Sequence, residues 1–159
     1  MENQSDKIKR SIFDFFDFDI SKIPDESYVE GPIEKNQSDV EIRTYRKNLN
    51  NKLFDLFDSI EVIVIGDSKN VFFKTYDTQL SNLDPLKKLI DNLYLVYGPD
   101  DMDKGKFNPK DIEAFYVSDI YSLFGRNWQE HNKFKFPVAI TRDENEISFG
   151  IWGVQKDKN

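Results

Sequence analysis

The chain has no cysteine and one histidine among its 159 residues. The first absence removes disulfides, thiol nucleophiles and thiolate metal sites. The second leaves all imidazole chemistry to His131. Seven glycines offer little material for a phosphate-cradling loop, and Gly66-Asp67-Ser68-Lys69 lacks the second glycine and the Lys-Ser/Thr step of one. Long apolar runs are missing too. Met1 to Arg10 is polar, and the apolar stretch after it is cut by Asp14, Asp17 and Asp19. A secretory leader needs about 7 to 15 unbroken apolar residues and a spanning helix about 20. A cytoplasmic chain with no membrane segment is therefore expected. A net charge of -7 argues against nucleic acid as a partner, because neutralising phosphates takes a basic surface.

What is present is aromatic. The apolar fraction is only 38%, but it includes 14 Phe, 7 Tyr and 2 Trp, so few positions can bury much area. At this length one domain is the natural count, and it can bury roughly 70% of its unfolded surface.

Charge is spread unevenly. Residues 11–34 hold seven acids (Asp14, Asp17, Asp19, Asp25, Glu26, Glu30, Glu34) against Lys22, which is -6 of the total -7. The same stretch carries Phe13, Phe15, Phe16, Phe18, Ile20, Ile23 and Tyr28. Ser5 can cap a helix over 6–16, and Pro24, Gly31 and Pro32 then punctuate a loop. A loop of about 15 residues is uncommon in a compact domain unless it is functional or disordered. The chain thus divides into an acidic-aromatic helix and arm, 1–35, and a body, 36–159.

The body opens on Ser38-Asp39-Val40-Glu41, a capping-box pattern, and Ile42, Tyr45, Leu49, Leu53 and Leu56 recur at helical spacing. The spacing predicts a helix over 39–57. The β-branched run 60–65, turn residues 66–70 and a second apolar run 71–76 predict a hairpin. Asp84-Pro85 starts and Gly98 stops a predicted helix. Asn108-Pro109 starts another over 110–124, with a strand over 112–117 followed by a Ser118-capped helix as the rival. Residues 133–141 and 146–154 flank Arg142-Asp143-Glu144-Asn145 as a closing hairpin. The expected fold class is α+β: an antiparallel sheet of four or more strands, built from the hairpins at about 60–76 and 133–154 and covered by three or four helices. Period alone places Ile42, Leu49, Leu53, Val62, Val64, Leu89, Leu93, Phe115, Ile140 and Trp152 in the core.

Motifs for chemistry are few. Asp100 to Asp111 resembles a calcium loop with Gly105 at the glycine position, but Met102 and Lys104 fall where oxygen ligands are needed. A solvated inter-helix loop is the simpler reading. His131 has no Gly-x-Ser-x-Gly elbow to serve and no second His at a metal-binding spacing. No metal, cofactor or catalytic residue is assigned. Two interface candidates remain. One is the arm, through Asp14, Phe15, Asp17, Phe18, Asp19, Glu26 and Glu30. The other is the aromatic-cationic set Tyr121, Arg126, Trp128 and His131 in a polar loop, with Phe124 beside it, because Trp, Tyr and Arg dominate interface hot spots. The plain alternative is that Phe124 and Trp128 cap the core while Arg126 is a surface charge.

The leading functional expectation is a small acidic protein that binds and occludes a basic partner, as an immunity protein or antitoxin-type inhibitor does. Complementary charge steers such a partner and aromatic anchors hold it. A second expectation is an adaptor or chaperone-like module that takes a peptide along an exposed strand such as 71–76. A carboxylate- and His131-dependent enzyme is the third.

Overall fold

The computed structural model describes residues 20–77, 80–116, 126–128, 138–142 and 146–155. After a 3₁₀ turn, Ile20–Lys22, come β1 (Val29–Glu30), β2 (Glu34–Lys35), β3 (Glu41–Leu53), β4 (Phe57–Ile65) and β5 (Ser68–Thr75). Helices α1 (Asp84–Tyr97) and α2 (Pro109–Tyr116) follow, then β6 (Arg126–Trp128), β7 (Val138–Arg142) and β8 (Ile147–Gln155). The strands form one antiparallel sheet in the order β1-β3-β4-β5-β8-β7-β6, with β2 also on β3. The expected fold class is corrected accordingly. The described residues are mostly an eight-stranded sheet with two short helices, and three or four covering helices are not found among them.

The largest departure is β3, where a helix was expected over 39–57. The side chain of Asn36 accepts the N–H groups of Ser38 and Val40, so the capping-box pattern folds as a turn with Asp39 at φ 62°. The β-branched and aromatic residues Ile42, Thr44 and Tyr45 favour a strand, and the Asn-rich end, Asn48-Leu49-Asn50-Asn51, disfavours a helix. Between Asn48↔Ser59 and Leu53↔Phe57, β3 advances five residues while β4 advances two. That irregularity breaks the two-residue period beyond Asn48, while Ile42 and Tyr45 lie on opposite faces of the regular stretch before it; the two together resemble a helical spacing. Phe54 and Asp55, at φ 57° and 56°, then close a two-residue turn in which Leu56 N donates to Leu53 O.

The β4–β5 hairpin turns at Gly66-Asp67, with Gly66 at φ 58° and Ile65 opposite Ser68. The strand offered for peptide pairing, 71–76, lies mostly within β5, which is bonded to β4 on one side and β8 on the other. No free edge exists there, so that route for an adaptor is closed. β7 and β8 pair as a hairpin from Val138↔Ile151 to Arg142↔Ile147. The helical option for 110–116 holds over the strand option: Asn108 caps it, its side chain accepting from Lys110 N while its own N–H donates to Asp111. The segment around residue 127, read as polar loop, is strand β6. The expected helix over 6–16, residues 117–124 and residues 133–137 lie outside the described residues.

Alternate residues of β5 (Lys69, Val71, Phe73, Thr75) are buried on one sheet face, with Ile60 and Val62 of β4 and Ile147, Phe149 and Ile151 of β8. The buried stripe of α1, Leu86, Leu89, Ile90, Leu93 and Tyr97, belongs to the same apolar core. Of the expected core, Val62, Leu89, Leu93 and Ile140 are fully buried. Ile42, Leu49, Leu53, Val64 and Trp152 are half-buried. The side chain of Phe115 lies outside the described residues. Ile20, Ile23 and Tyr28 also enter this core. The buried Lys69 ammonium fastens them, donating to the main-chain oxygens of Ile20 and, at 2.6 Å, Ile23.

Candidate functional site

Residues 22–41 run along one margin of the sheet and contain six acids, Asp25, Glu26, Glu30, Glu34, Asp39 and Glu41, against Lys22 and Lys35. All six are exposed. Among them stand Val29, 73% exposed, Ile33, 50%, and Val40, 36%. Scattered exposed apolar residues are ordinary, but three on one strand-turn-strand margin, ringed by carboxylates, make a surface of distinct character. The local sequence explains the exposure. β1 and β2 are two residues each, pair only with β3 among the described residues, and are separated by Gly31-Pro32-Ile33. Pro32 has no N–H, so the outer edge is a poor template for a further strand. What this margin exposes is therefore mostly side chain.

Ion pairs here are internal and exposed. Arg43 reaches Glu41 at 3.1 Å and Glu30 at 3.4 Å, and Lys35 reaches Asp39 at 3.5 Å. Hydrogen bonding to Glu41 raises the Arg43 guanidinium above its ordinary value. Asp25 is held below the usual carboxylate range by the Ser27 hydroxyl, then by the Ser27 N–H at 2.8 Å. Such pairs contribute little stability in water, so their acids can be re-engaged by an incoming cation at small cost.

The expected site residues are placed unevenly. Glu26 and Glu30 belong to this margin. Asp14, Phe15, Asp17, Phe18, Asp19, Tyr121 and His131 lie outside the described residues. Arg126 and Trp128 are each only 1% exposed. Arg126 is no surface charge: Nη1 and Nη2 donate to the two oxygens of Asp111 at 2.9 and 2.8 Å, and Nε donates to Gly105 O at 2.7 Å. Trp128 Nε1 donates to Gly98 O at 2.8 Å, and its ring lies 5.9 Å from Tyr94 and 6.1 Å from Tyr97. Both polar groups are thus turned into the chain. Val29, Ile33, Val40, Glu34, Asp39 and Glu41 complete this margin and were not among the expected site residues. Glu34 was legible as part of the charge run; Val40 and Glu41 were hidden by assignment to a helix.

The loop resembling a calcium site has its own chemistry. Asp100 accepts from the Tyr94 hydroxyl and from the N–H groups of Met102, Lys104 and Gly105, while Asp111 grips Arg126. Burial pushes the Asp100 carboxyl up, but those hydrogen bonds outweigh it and hold the group below its ordinary range. Its oxygens face donors, the reverse of what a cation requires. Among the described residues no three His, Asp or Glu side chains converge for a metal ion, and no helix is long and apolar enough to cross a membrane. No protein-family model, curated protein or solved structure matches the chain.

Proposed function

We propose that this protein works by binding another protein and occluding it, as an immunity protein or antitoxin-type inhibitor of a basic partner does. The observation that carries the reading is the margin at 22–41, where Val29, Ile33 and Val40 stand exposed among six exposed carboxylates. Carboxylates steer a cationic surface over a Debye length of roughly 8 Å at physiological salt, and the apolar groups add contact once it arrives. The margin is mostly side chain, so it selects a partner by charge and shape, without strand addition.

The test uses full-length chain as bait, wild type beside a variant with Glu26, Glu30, Glu34 and Glu41 changed to Gln. Wild type should retain one stoichiometric basic protein at low salt and lose it as salt rises. The variant should retain far less. Equal retention by both baits at low salt would remove the margin as the contact and the charge argument with it.

A further inference from the structure

The groove where β1 ends carries a charge opposite to that of the margin beside it. It has a volume of about 360 Å³ and is lined by Ser27, Val29, Arg46, Lys47 and Asn48. Its origin is a pairing that stops early. β1 runs against β3 with Val29 opposite Arg46, and Gly31 N donates to Thr44 O at 2.8 Å. The same register would set Ser27 opposite Asn48. Ser27 instead turns its N–H to the Asp25 carboxylate at 2.8 Å, and its hydroxyl donates to the same oxygen. Because main-chain groups of a strand alternate sides with a two-residue period, Thr44, Arg46 and Asn48 all point theirs outward. Asn48 is therefore left with an outward N–H and no strand beside it among the described residues.

Two cations border that vacancy. Arg46 uses Nε on Glu61 at 2.7 Å, and its side chain is otherwise 72% exposed, so its two terminal nitrogens have no partner among the described residues. Lys47 has its ammonium 5.6 Å from the centre of the Tyr28 ring and makes no ion pair among the described residues. A forked guanidinium on one face of β3, a point-charge ammonium on the other and, between them at the strand edge, a side-chain amide and an unused main-chain N–H supply the kinds of donor that an oxyanion takes. Asp25 lies nearby: after the two Ser27 hydrogen bonds, attraction to Lys47 also holds its carboxyl low, so an arriving oxyanion competes with Asp25 for that ammonium.

We propose that this groove is a binding site for a single oxyanion, the phosphate of a phosphomonoester or the carboxylate of an acidic side chain, held by Arg46, Lys47 and the main-chain N–H of Asn48. The site shares Val29 with the adjacent margin but requires no basic partner there.

The probe is inorganic phosphate, titrated at constant ionic strength and pH 7.5 against the full-length chain while amide nitrogen and proton shifts are followed by NMR. Saturable shifts should be confined to residues 27–29 and 46–48. Arg46→Gln and Lys47→Gln should each weaken binding about fivefold, the scale of one exposed charge contact, and the pair together should abolish it. Both positions border solvent, so spectra unchanged elsewhere would show that the variants fold. Phenyl phosphate and acetate in parallel separate the two sources: tighter binding of phenyl phosphate assigns a phosphomonoester, and equal binding assigns a carboxylate. Shifts that stay linear, spread over lysines and arginines generally, or survive the double variant would overturn the site.

Discussion

Arg126 and Asp111 form a buried, bidentate ion pair at the foot of β6, and they illustrate how a single residue can carry two readings. In the sequence, an Arg beside Trp in a polar loop has the composition of a contact surface. Its burial depends on Gly105 and Asp111, fifteen or more residues away, and local pattern does not report such distance. Asp111→Ala should destabilise the fold by about 3–5 kcal/mol, because the guanidinium is left buried without its counter-charge. Replacing both partners, Arg126→Met with Asp111→Leu, should cost markedly less; urea denaturation compares the two. Asp100 sets a pH dependence. Its carboxyl is depressed in the fold, so the unfolded chain binds its proton more readily as acid is added. The contribution is complete above the ordinary carboxylate pKa of about 3.9 and is lost as pH falls through the lower folded value. Asp100→Asn should flatten that acid limb in denaturation midpoints measured from pH 7 down to 2. Tyr28 marks the other limb: burial, aided by Asp25, pushes its phenol up to about 12, and its hydroxyl has no hydrogen-bond partner among the described residues. A raised pKa stabilises the fold below about pH 10 and ceases to as pH climbs through 12. Tyr28→Phe should keep stability at pH 7 level or higher and lessen the alkaline fall, which Tyr97 and Tyr94, also pushed up by burial, continue to carry.

At the scale of elements, a run of alternating or continuous character read correctly and an interrupted one did not. The hairpin around Gly66 and helix α1 each carry their own start and stop residues, and both were legible. β3 does not: Ile42 and Tyr45 sit on opposite faces of a regularly paired stretch, extra residues break the register only beyond Asn48, and the apolar positions fall at helical spacing by coincidence. The turn that follows offers a check. Asp55 sits exposed at φ 56°, where a β-branched side chain is costly. Asp55→Val should lower stability by about 1–2 kcal/mol and Asp55→Gly should not, a contrast unavailable to a helix. Gly150 makes the same point on β8. A Cβ there would lie 2.6 Å from the Trp152 ring and 3.0 Å from Phe72, which pack edge to face at 5.4 Å. Gly150→Ala should cost about 1–3 kcal/mol, and Trp152→Leu should recover part of it. The acidic margin was half legible. Its charge was plain in the composition of 11–34, but its apolar members became visible only once β1 and β2 were seen as two-residue strands.

For the whole molecule, the sheet is two sequence-separate groups of strands. β1 to β5 come from residues 29–75 and β6 to β8 from residues 126–155. They meet along one seam, β5 against β8, where Thr75 faces Ile147. Each group taken alone would present a long apolar strand edge that matches only the other. The chain is in that sense a pair of interlocking pieces on a tether. Ser81 and Asn82 are exposed between β5 and α1, so a cut there severs the tether and leaves β1 to β8 intact. Residues 1–81 and 82–159, each poorly soluble by itself, should reassemble on co-expression into a one-to-one complex that co-purifies through gel filtration. Introducing Phe73→Asp or Phe149→Asp, whose rings stack across the seam at 6.1 Å, should prevent the halves from finding each other.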